Sequence, residues 1–336
     1  MRGIVEGEQA GPAVKSERAE GTADRVAAAD PVDSAAAGLA GAGHTDAATG
    51  AFLAHRNLLF TVAYEMLGSA ADAEDVLQET WLRWAGVDLG TVRDQRAYLI
   101  RITTRQALAR LRALGRRRES YVGPWLPEPL LTAPDVAEDV ELADSISMAM
   151  LLVLETLAPT ERAVFVLREV FDLGNDEIAG AVEKSPAAVR QIAHRARAHV
   201  AARRPHRVVS AAQGKEAFEA FQRAIETGDL QSLLDVLAPD VVLLGDGGGV
   251  KQAVVRPIVG ARKVARLLTA GLGRFADVVS VRRVQVNGHP ALTLQLHGEL
   301  DTVMAVRIDD GRITGLYAVR NPAKLSHMER ETALRR

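Results

Sequence analysis

The sequence has no cysteine among its 336 residues, which excludes disulfides, thiolate metal sites and cysteine nucleophiles and agrees with a reducing cytosol. Aromatic residues make up only 4%, so any hydrophobic interior has to be assembled from Leu, Val, Ile and Ala. No apolar run approaches the ~20 residues a membrane-spanning helix needs; MAMLLVL at 148–154 is typical of the longest. The first residues also lack the apolar core of a signal peptide. The expectation from these absences is a cytoplasmic protein with no membrane partner, no cofactor and no metal.

What is present suffices for two or three compact domains, since 48% of the residues are hydrophobic. The net charge of -2 conceals strong segregation of charge along the chain. Residues 1–48 are Ala, Gly, Asp and Glu with almost no large apolar side chain, and read as a disordered tail or an over-extended start. Helical periodicity begins at Ala51, where FLAHRNLLFTVAYEML turns Phe52, Leu59, Val62 and Ala63 to one side and Gly68-Ser69 ends the segment. ADAEDVLQETWLRWA follows with Leu77, Trp81 and Trp84 on one stripe. A third helix, 94–114, carries Tyr98, Leu99, Ile102, Ala109 and Leu111. Residues 115–134 hold four prolines and no helical period, and an acidic stretch from Asp135 to Asp144 succeeds them; this change of sign is the clearest linker signal in the chain.

Leu151 to Arg204 reads as three further helices. The last two, NDEIAGAV and the segment after Ser185-Pro186, are joined by Glu183-Lys184-Ser185 in the manner of a helix-turn-helix, with Ser185 as N-cap and Pro186 at the first helical position. Beyond Ser210 come an amphipathic helix and a shorter one, then runs rich in β-branched residues at 241–244, 278–286, 291–298, 303–308 and 313–319. Asn287-Gly288 and Asp310-Gly311 between those runs signal hairpins, so helices followed by a hairpin-connected sheet indicate an α+β domain.

Two basic helix faces stand out. In the last helix of the middle segment Val189, Ile192, Ala193, Ala196 and Val200 occupy one arc, while Arg190, Gln191, His194, Arg195 and Arg197 spread over the other. From Lys184 to Arg207 there are seven Lys or Arg and no acid, the pattern of a recognition helix whose arginines reach phosphates and guanine edges. On the 94–114 helix Arg101, Arg105 and Arg112 lie near one another, followed by Arg116, Arg117 and Arg118, with Tyr98, Thr103, Thr104 and Gln106 beside them for stacking and hydrogen bonding. A solvated face is the plain alternative for each. The helix 72–84 is acidic at its start and aromatic at its end; Asp75, Glu79 and Arg83 at i, i+4 spacing suit intrahelical pairing, or a docking face for a partner protein.

DAEDVLQETWLRW, RAYLIRITTRQALARLR and LAPTERAVFVLREVFDLGNDEIAGAVEKSPAAVRQIAHRARAHV, in that order, resemble regions 2 and 4 of the extracytoplasmic-function (ECF) RNA polymerase sigma factors over residues 51–204. YVGPWLPEPL in the linker, the SnoaL-like (NTF2-like) character of 212–320 and NPAKL at 321–325 resemble the subgroup with a fused SnoaL-like C-terminal domain, the sigma J type. The resemblance implies a multidomain fold: two all-α domains, region 2 at 49–118 and the helix-turn-helix region 4 at 141–207, joined by a linker at 119–140 and followed by an α+β domain at 212–320 and a tail at 321–336. It implies core RNA polymerase (β and β′ subunits) and promoter DNA as partners. Asp75, Gln78 and Glu79 are expected on the β′ clamp helices, Arg101, Arg105 and Arg112 on the −10 element, and Arg190, His194, Arg195 and Arg197 on the −35 element. Regulation in cis is expected from Trp125, Pro127 and Glu128 in the linker, Asp246, Gly247, Gly248 and Gly249 in the Gly-rich loop, and Asn321 and Pro322.

Three departures from the family pattern accompany it: Ala109 replaces an acid before Arg110-Leu111-Arg112, the Gly-rich motif reads DGGGVK with Lys251 displaced by one position, and NPAKL has Ala323 in place of Asp. Asp240, Asp246, His289 and His297 offer acid–base chemistry of the kind found in polyketide cyclases, but no spacing pairs them, and His297 alternates with Leu296 like a strand residue. The expectation is a non-enzymatic initiation factor. The alternative is a helix-turn-helix regulator whose C-terminal domain senses a small ligand.

Overall fold

The computed structural model describes residues 31–118, 121–203, 211–275 and 277–336. Residues His44–Arg336 form one compact unit.

The first helix, α1, is Pro31–Leu67. It begins inside the stretch expected to be a disordered tail, residues 1–30 of which lie outside the described residues. Ala48, also assigned to that tail, is buried, and its carbonyl accepts a hydrogen bond from Trp84 Nε1 at 2.8 Å. The physical reason is that alanine, though poor in burial, is the strongest helix former. Against α1 pack α2 (Ala70–Trp84) and α3 (Gln95–Arg118), with Leu59, Val62, Ala63, Leu77, Trp84 and Leu99 buried between them. The side chains of Arg116, Arg117 and Arg118 fall outside the described set.

Short helices α4 (Pro134–Glu138), α5 (Val140–Ile146) and α6 (Met148–Leu154) follow, then α7 (Pro159–Phe165) with a π turn at Val166–Val170. The helix-turn-helix is α8 (Asn175–Val182) and α9 (Pro186–Ala201). Its turn uses Glu183 in the left-handed region (φ 56°), and Ser185 caps α9 by accepting from the Ala188 amide at 3.2 Å. Most of the buried apolar residues of α1–α3 and of α5–α9 belong to one continuous cluster.

The C-terminal part opens with α10 (Ala211–Thr227) and α11 (Leu230–Val236) and contains a six-stranded sheet, ordered β2-β1-β6-β5-β4-β3. The strands are β1 (Leu237–Asp246), β2 (Ile258–Val259), β3 (Val279–Val286), β4 (His289–Leu296), β5 (Glu299–Asp309) and β6 (Arg312–Val319). Only the β1–β6 pair is parallel. A helix α12 (Ala261–Gly273), not foreseen from the sequence, lies between β2 and β3, and α13 (Pro322–Leu325) follows the sheet. Asn287-Gly288 and Asp310-Gly311 form the tight turns expected, with φ positive at all four residues. His297 is not a strand residue: at φ 53° it forms, with Gly298, the β4–β5 turn. Histidine tolerates that conformation better than the flanking leucines would, and periodicity could not reveal it.

Strand alternation buries both faces of the sheet. Leu243, Leu292, Met304, Leu316 and Ala318 face α10–α12, where Phe218, Phe221, Val264 and Leu268 fill the interior. Ala291, Val303, Ala305, Tyr317 and Val319 face the other way, onto Leu126 of the linker and Met148 of α6. The linker is therefore no free tether, as the proline and charge pattern suggested. It runs extended under the sheet with Leu126 and Leu130 fully buried, because its apolar residues find a complementary sheet face that only tertiary structure supplies.

Candidate nucleic-acid interface and the polar lock beside it

On α9 the expected division holds in space: Val189, Ile192, Ala193, Ala196 and Val200 are buried, and Arg190, His194, Arg195 and Arg197 are exposed. Arg197 pairs with Glu169 at 3.0 Å and Arg195 with Glu161 at 3.8 Å. Arg190 and His194 have no side-chain partner among the described residues. Exposed pairs of this type are weak.

The α3 face is less free. Arg101 lies over the Tyr98 ring at 4.6 Å, and Arg112 is exposed. Arg105, however, reaches α8: its guanidinium donates to the Gly180 carbonyl at 2.9 Å and sits 3.4 Å from Glu183. On α2, Gln78 is exposed, while Asp75 and Glu79 are engaged by α3. Arg110 Nη2 meets Asp75 at 2.6 Å, and Gln106 donates to Glu79 at 2.6 Å. The i, i+4 pairing of Asp75, Glu79 and Arg83 expected from spacing gives way to these longer-range partners.

The residues expected to regulate converge on Asp246. This fully buried carboxylate, at the end of β1, accepts from the Tyr121 hydroxyl (2.6 Å), the Leu126 amide (2.9 Å) and the Gly248 amide (3.0 Å), and pairs with Lys324 (2.7 Å). Lys324 Nζ lies 4.1 Å from the Trp125 ring and 4.9 Å from that of Tyr121, a cation held over two aromatic faces. Burial and the bond to Asp246 push the Tyr121 hydroxyl well above its ordinary pKa, so it stays a donor. Asn321 caps α13 and donates to the Tyr121 hydroxyl at 2.9 Å. Gly248 has φ 63°, and a Cβ there would lie 2.3 Å from the Asn321 amide, so only glycine fits. Three separate motifs thus close on one ion pair. Lys251, the displaced lysine of DGGGVK, pairs instead with Asp301 at 3.0 Å. Tyr121 and Lys324 stand inside quoted motifs, yet nothing in the sequence distinguished them from their neighbours.

Pro127 is buried in the linker and Pro322 exposed at the start of α13; neither touches the ion pair through a polar group. Glu128 faces away from it, toward α2. Its carboxylate accepts from Ser69 Oγ (2.9 Å) and from the amides of Ala70 (2.7 Å) and Ala71 (3.2 Å), a negative charge at the N-terminus of the helix that carries Asp75, Gln78 and Glu79. Trp125 closes over Gly68, where a Cβ would lie 3.0 Å from the ring. Within four residues the linker touches the C-terminal domain on one side and the α2 terminus on the other.

Two further contacts were not legible beforehand. The β3–β4 turn enters a junction where Asn287 Nδ2 donates to the Tyr64 hydroxyl (2.7 Å) and the Ile146 carbonyl (2.8 Å), and Asn287 Oδ1 accepts from the Leu130 amide (2.9 Å). The last residues of the sequence cross all three parts. The Thr332 amide donates to the Leu131 carbonyl (2.8 Å), Leu334 is buried in the helical core, the Arg335 amide donates to Thr61 Oγ1 (3.1 Å), and Arg336 pairs with Asp139 (2.9 Å) and Glu141.

The acid–base candidates of the C-terminal domain stay apart. Asp246 is in the lock, His289 is turned to the Ala143 carbonyl at 3.1 Å, Asp240 is exposed on β1 and His297 on its turn. Among the described residues no group of His, Asp and Glu is placed to hold a metal ion, and no helix is long and apolar enough to cross a membrane.

A helix-turn-helix with an exposed basic second helix, another basic helix beside an acidic one, and a fused NTF2-like sheet domain define a transcription initiation factor of the sigma type. Residues 51–117 match the family model for Sigma-70 region 2, and residues 147–200 that for Sigma-70 region 4. The chain is 35% identical to the ECF RNA polymerase sigma factor SigJ of Mycobacterium tuberculosis (strain ATCC 25618 / H37Rv) over 290 residues, 82% of this chain and 92% of that one. It is 33% identical to the probable ECF RNA polymerase sigma factor SigI of the same strain over 289 residues, 85% and 97% of the two chains. The crystal structure of the Mycobacterium tuberculosis factor SigJ superposes with a TM-score of 0.67 at 32% identity, covering 83% of this chain and 98% of that one. The chain belongs to the ECF RNA polymerase sigma factors, which direct core polymerase to promoters.

Proposed function

We propose that this fold is a closed form of the sigma factor, and that its C-terminal domain controls opening in cis. In the open form Asp75, Gln78 and Glu79 dock the polymerase β′ clamp helices, Arg101, Arg105 and Arg112 take the −10 element, and Arg190, His194, Arg195 and Arg197 take the −35 element. The observation that carries this reading is α8. An eight-residue helix is about 12 Å long, and it packs against α3 on one side and α9 on the other. Promoter elements some 25 base pairs apart are separated by about 85 Å of duplex. Helices that flank one short neighbour cannot reach both, so regions 2 and 4 have to part before promoter DNA is engaged.

The lock at Asp246 and Lys324 and the strap formed by Thr332–Arg336 hold the closed form, and the linker passes the state of the C-terminal domain to α2 through Glu128. In this reading the C-terminal domain is regulatory and not catalytic. The scatter of Asp240, Asp246, His289 and His297, and an interior already filled by Phe218, Phe221 and Leu268, support that. The test is promoter-selective transcription by purified core polymerase with the full-length protein and with Asp246→Leu/Lys324→Met, which removes the ion pair without stranding a buried charge. Both are expected to confer selectivity, the variant several-fold more strongly. No selectivity from either protein, or equal output from both, would refute the corresponding half of the proposal.

A further inference from the structure

Between Asp246 and Asp277 the chain carries no acid, while Lys251, Arg256, Arg262, Lys263, Arg266 and Arg274 supply six cations. In a chain whose 41 basic residues are matched by 43 acidic ones, an acid-free stretch of this length is more than a solvated surface requires. Lys251 is consumed by Asp301. The other five side chains are exposed and make no ion pair or hydrogen bond among the described residues.

Four of the five belong to α12 or its C-cap. At 3.6 residues per turn, Arg262, Lys263, Arg266 and Arg274 fall within about 120° of arc, and from first to last they cover about 18 Å along the axis. Val264, Ala265 and Leu268 occupy the opposite side and are buried against β1 and α11. Ala270 and Gly273 sit among the cations and leave the face without bulk. The helix covers the sheet face turned away from the linker and α6, so the closed form leaves it open to solvent. Some arginines on other helices are tied to acids, as Arg56 is to Glu74 and Arg110 to Asp72. Among the described residues Arg190 on α9 is likewise outward and unpaired.

We propose that α12 is a second DNA-contacting face: the outer side of the C-terminal domain binds the phosphate backbone of duplex DNA without reading bases. Four cations spread over about 18 Å cover the length of about five phosphates along a strand, enough for several simultaneous contacts. A membrane surface fits less well, because an interfacial helix needs its apolar face free for the lipid, and Val264, Ala265 and Leu268 of α12 are spent in the domain core, with Leu267 and Phe275 left exposed beside the cations.

The experiment compares full-length protein with Arg262→Gln/Arg266→Gln/Arg274→Gln for binding to a labelled duplex of arbitrary sequence across a salt series. Each lost phosphate contact lowers the slope of log affinity against log salt by about 0.9, so the variant should lose roughly 2–3 of slope and bind about tenfold more weakly at low salt. The matched lysine variant, Arg262→Lys/Arg266→Lys/Arg274→Lys, should keep the slope, which a merely structural role would not require. All positions are exposed, and an unchanged melting temperature verifies folding; should the triple variant not fold, Arg262→Gln/Arg266→Gln serves, with a slope loss of roughly 2. An unchanged slope in a folded variant overturns the proposal. Sedimentation with phosphatidylserine vesicles that depends on these arginines, without any change in DNA binding, overturns it in favour of a lipid surface. Arg190→Gln runs in parallel, so failure of the α9 reading is seen separately from failure of this one.

Discussion

The Asn287 side chain donates to the Tyr64 hydroxyl at 2.7 Å although 223 residues separate them, and the same hydroxyl donates to the Glu128 carbonyl at 2.6 Å. A sheet turn, the linker and the first helix thereby share one buried network. Asn287→Gly preserves the positive φ of the turn but strips partners from Tyr64, Leu130 and Ile146. A loss of about 1–3 kcal/mol per orphaned group is expected, with Tyr64→Phe milder because it removes fewer bonds. Thermal unfolding of both variants checks the order; a gentler effect from Asn287→Gly would contradict it.

Asp246 and Lys324 are both buried, so single replacements strand a charge. Asp246→Asn or Lys324→Met should each cost about 3–5 kcal/mol, and the joint replacement Asp246→Leu/Lys324→Met much less than their sum. Denaturant unfolding of the double-mutant cycle reads the coupling. Strict additivity would mean the pair does not act as a unit.

Glu128 offers its charge to three groups at the start of α2. Glu128→Ala should lower stability by about 1–2 kcal/mol and alter the affinity for core polymerase, since α2 carries the residues proposed to dock it. Competition binding with core polymerase decides the second point. Loss of stability with unchanged affinity would confine Glu128 to capping.

Glu65 is fully buried beneath Arg162, accepts from Ser145 Oγ at 2.8 Å, and has one carboxyl oxygen without a partner. Burial raises its pKa from 4.5 to about 8, outweighing the Ser145 bond and the Arg162 charge. Between those values the folded protein keeps a proton that the unfolded chain releases. The contribution is therefore full below 4.5 and is lost as pH rises toward about 8. The melting temperature of Glu65→Gln should fall less steeply over that window than that of the unaltered protein. Equal slopes would place the titration elsewhere.

Arg190 is exposed on α9 and has no side-chain partner among the described residues. Arg190→Ala should weaken promoter binding by the holoenzyme by about 1–3 kcal/mol if it reads a guanine, and by less, equally on all sequences, if it touches phosphate. Footprinting on matched and mutated promoters distinguishes the two.

Local signals made much of this protein legible. The Ser185-Pro186 cap, the apolar arc of α9 and the Asn287-Gly288 and Asp310-Gly311 turns depend on neighbours a few residues away, so they are written in the chain. The helix α12 was not read from the sequence, where Gly271 and Gly273 weaken the helical pattern. Three things needed the folded molecule: that Lys324 and not Lys251 answers Asp246, that the proline-rich linker is buried, and that Arg105 rests on α8. Each depends on groups brought together across long stretches of sequence. Charge and hydrophobicity along a chain say that a residue needs a partner, whereas the packing of distant surfaces decides which one it receives.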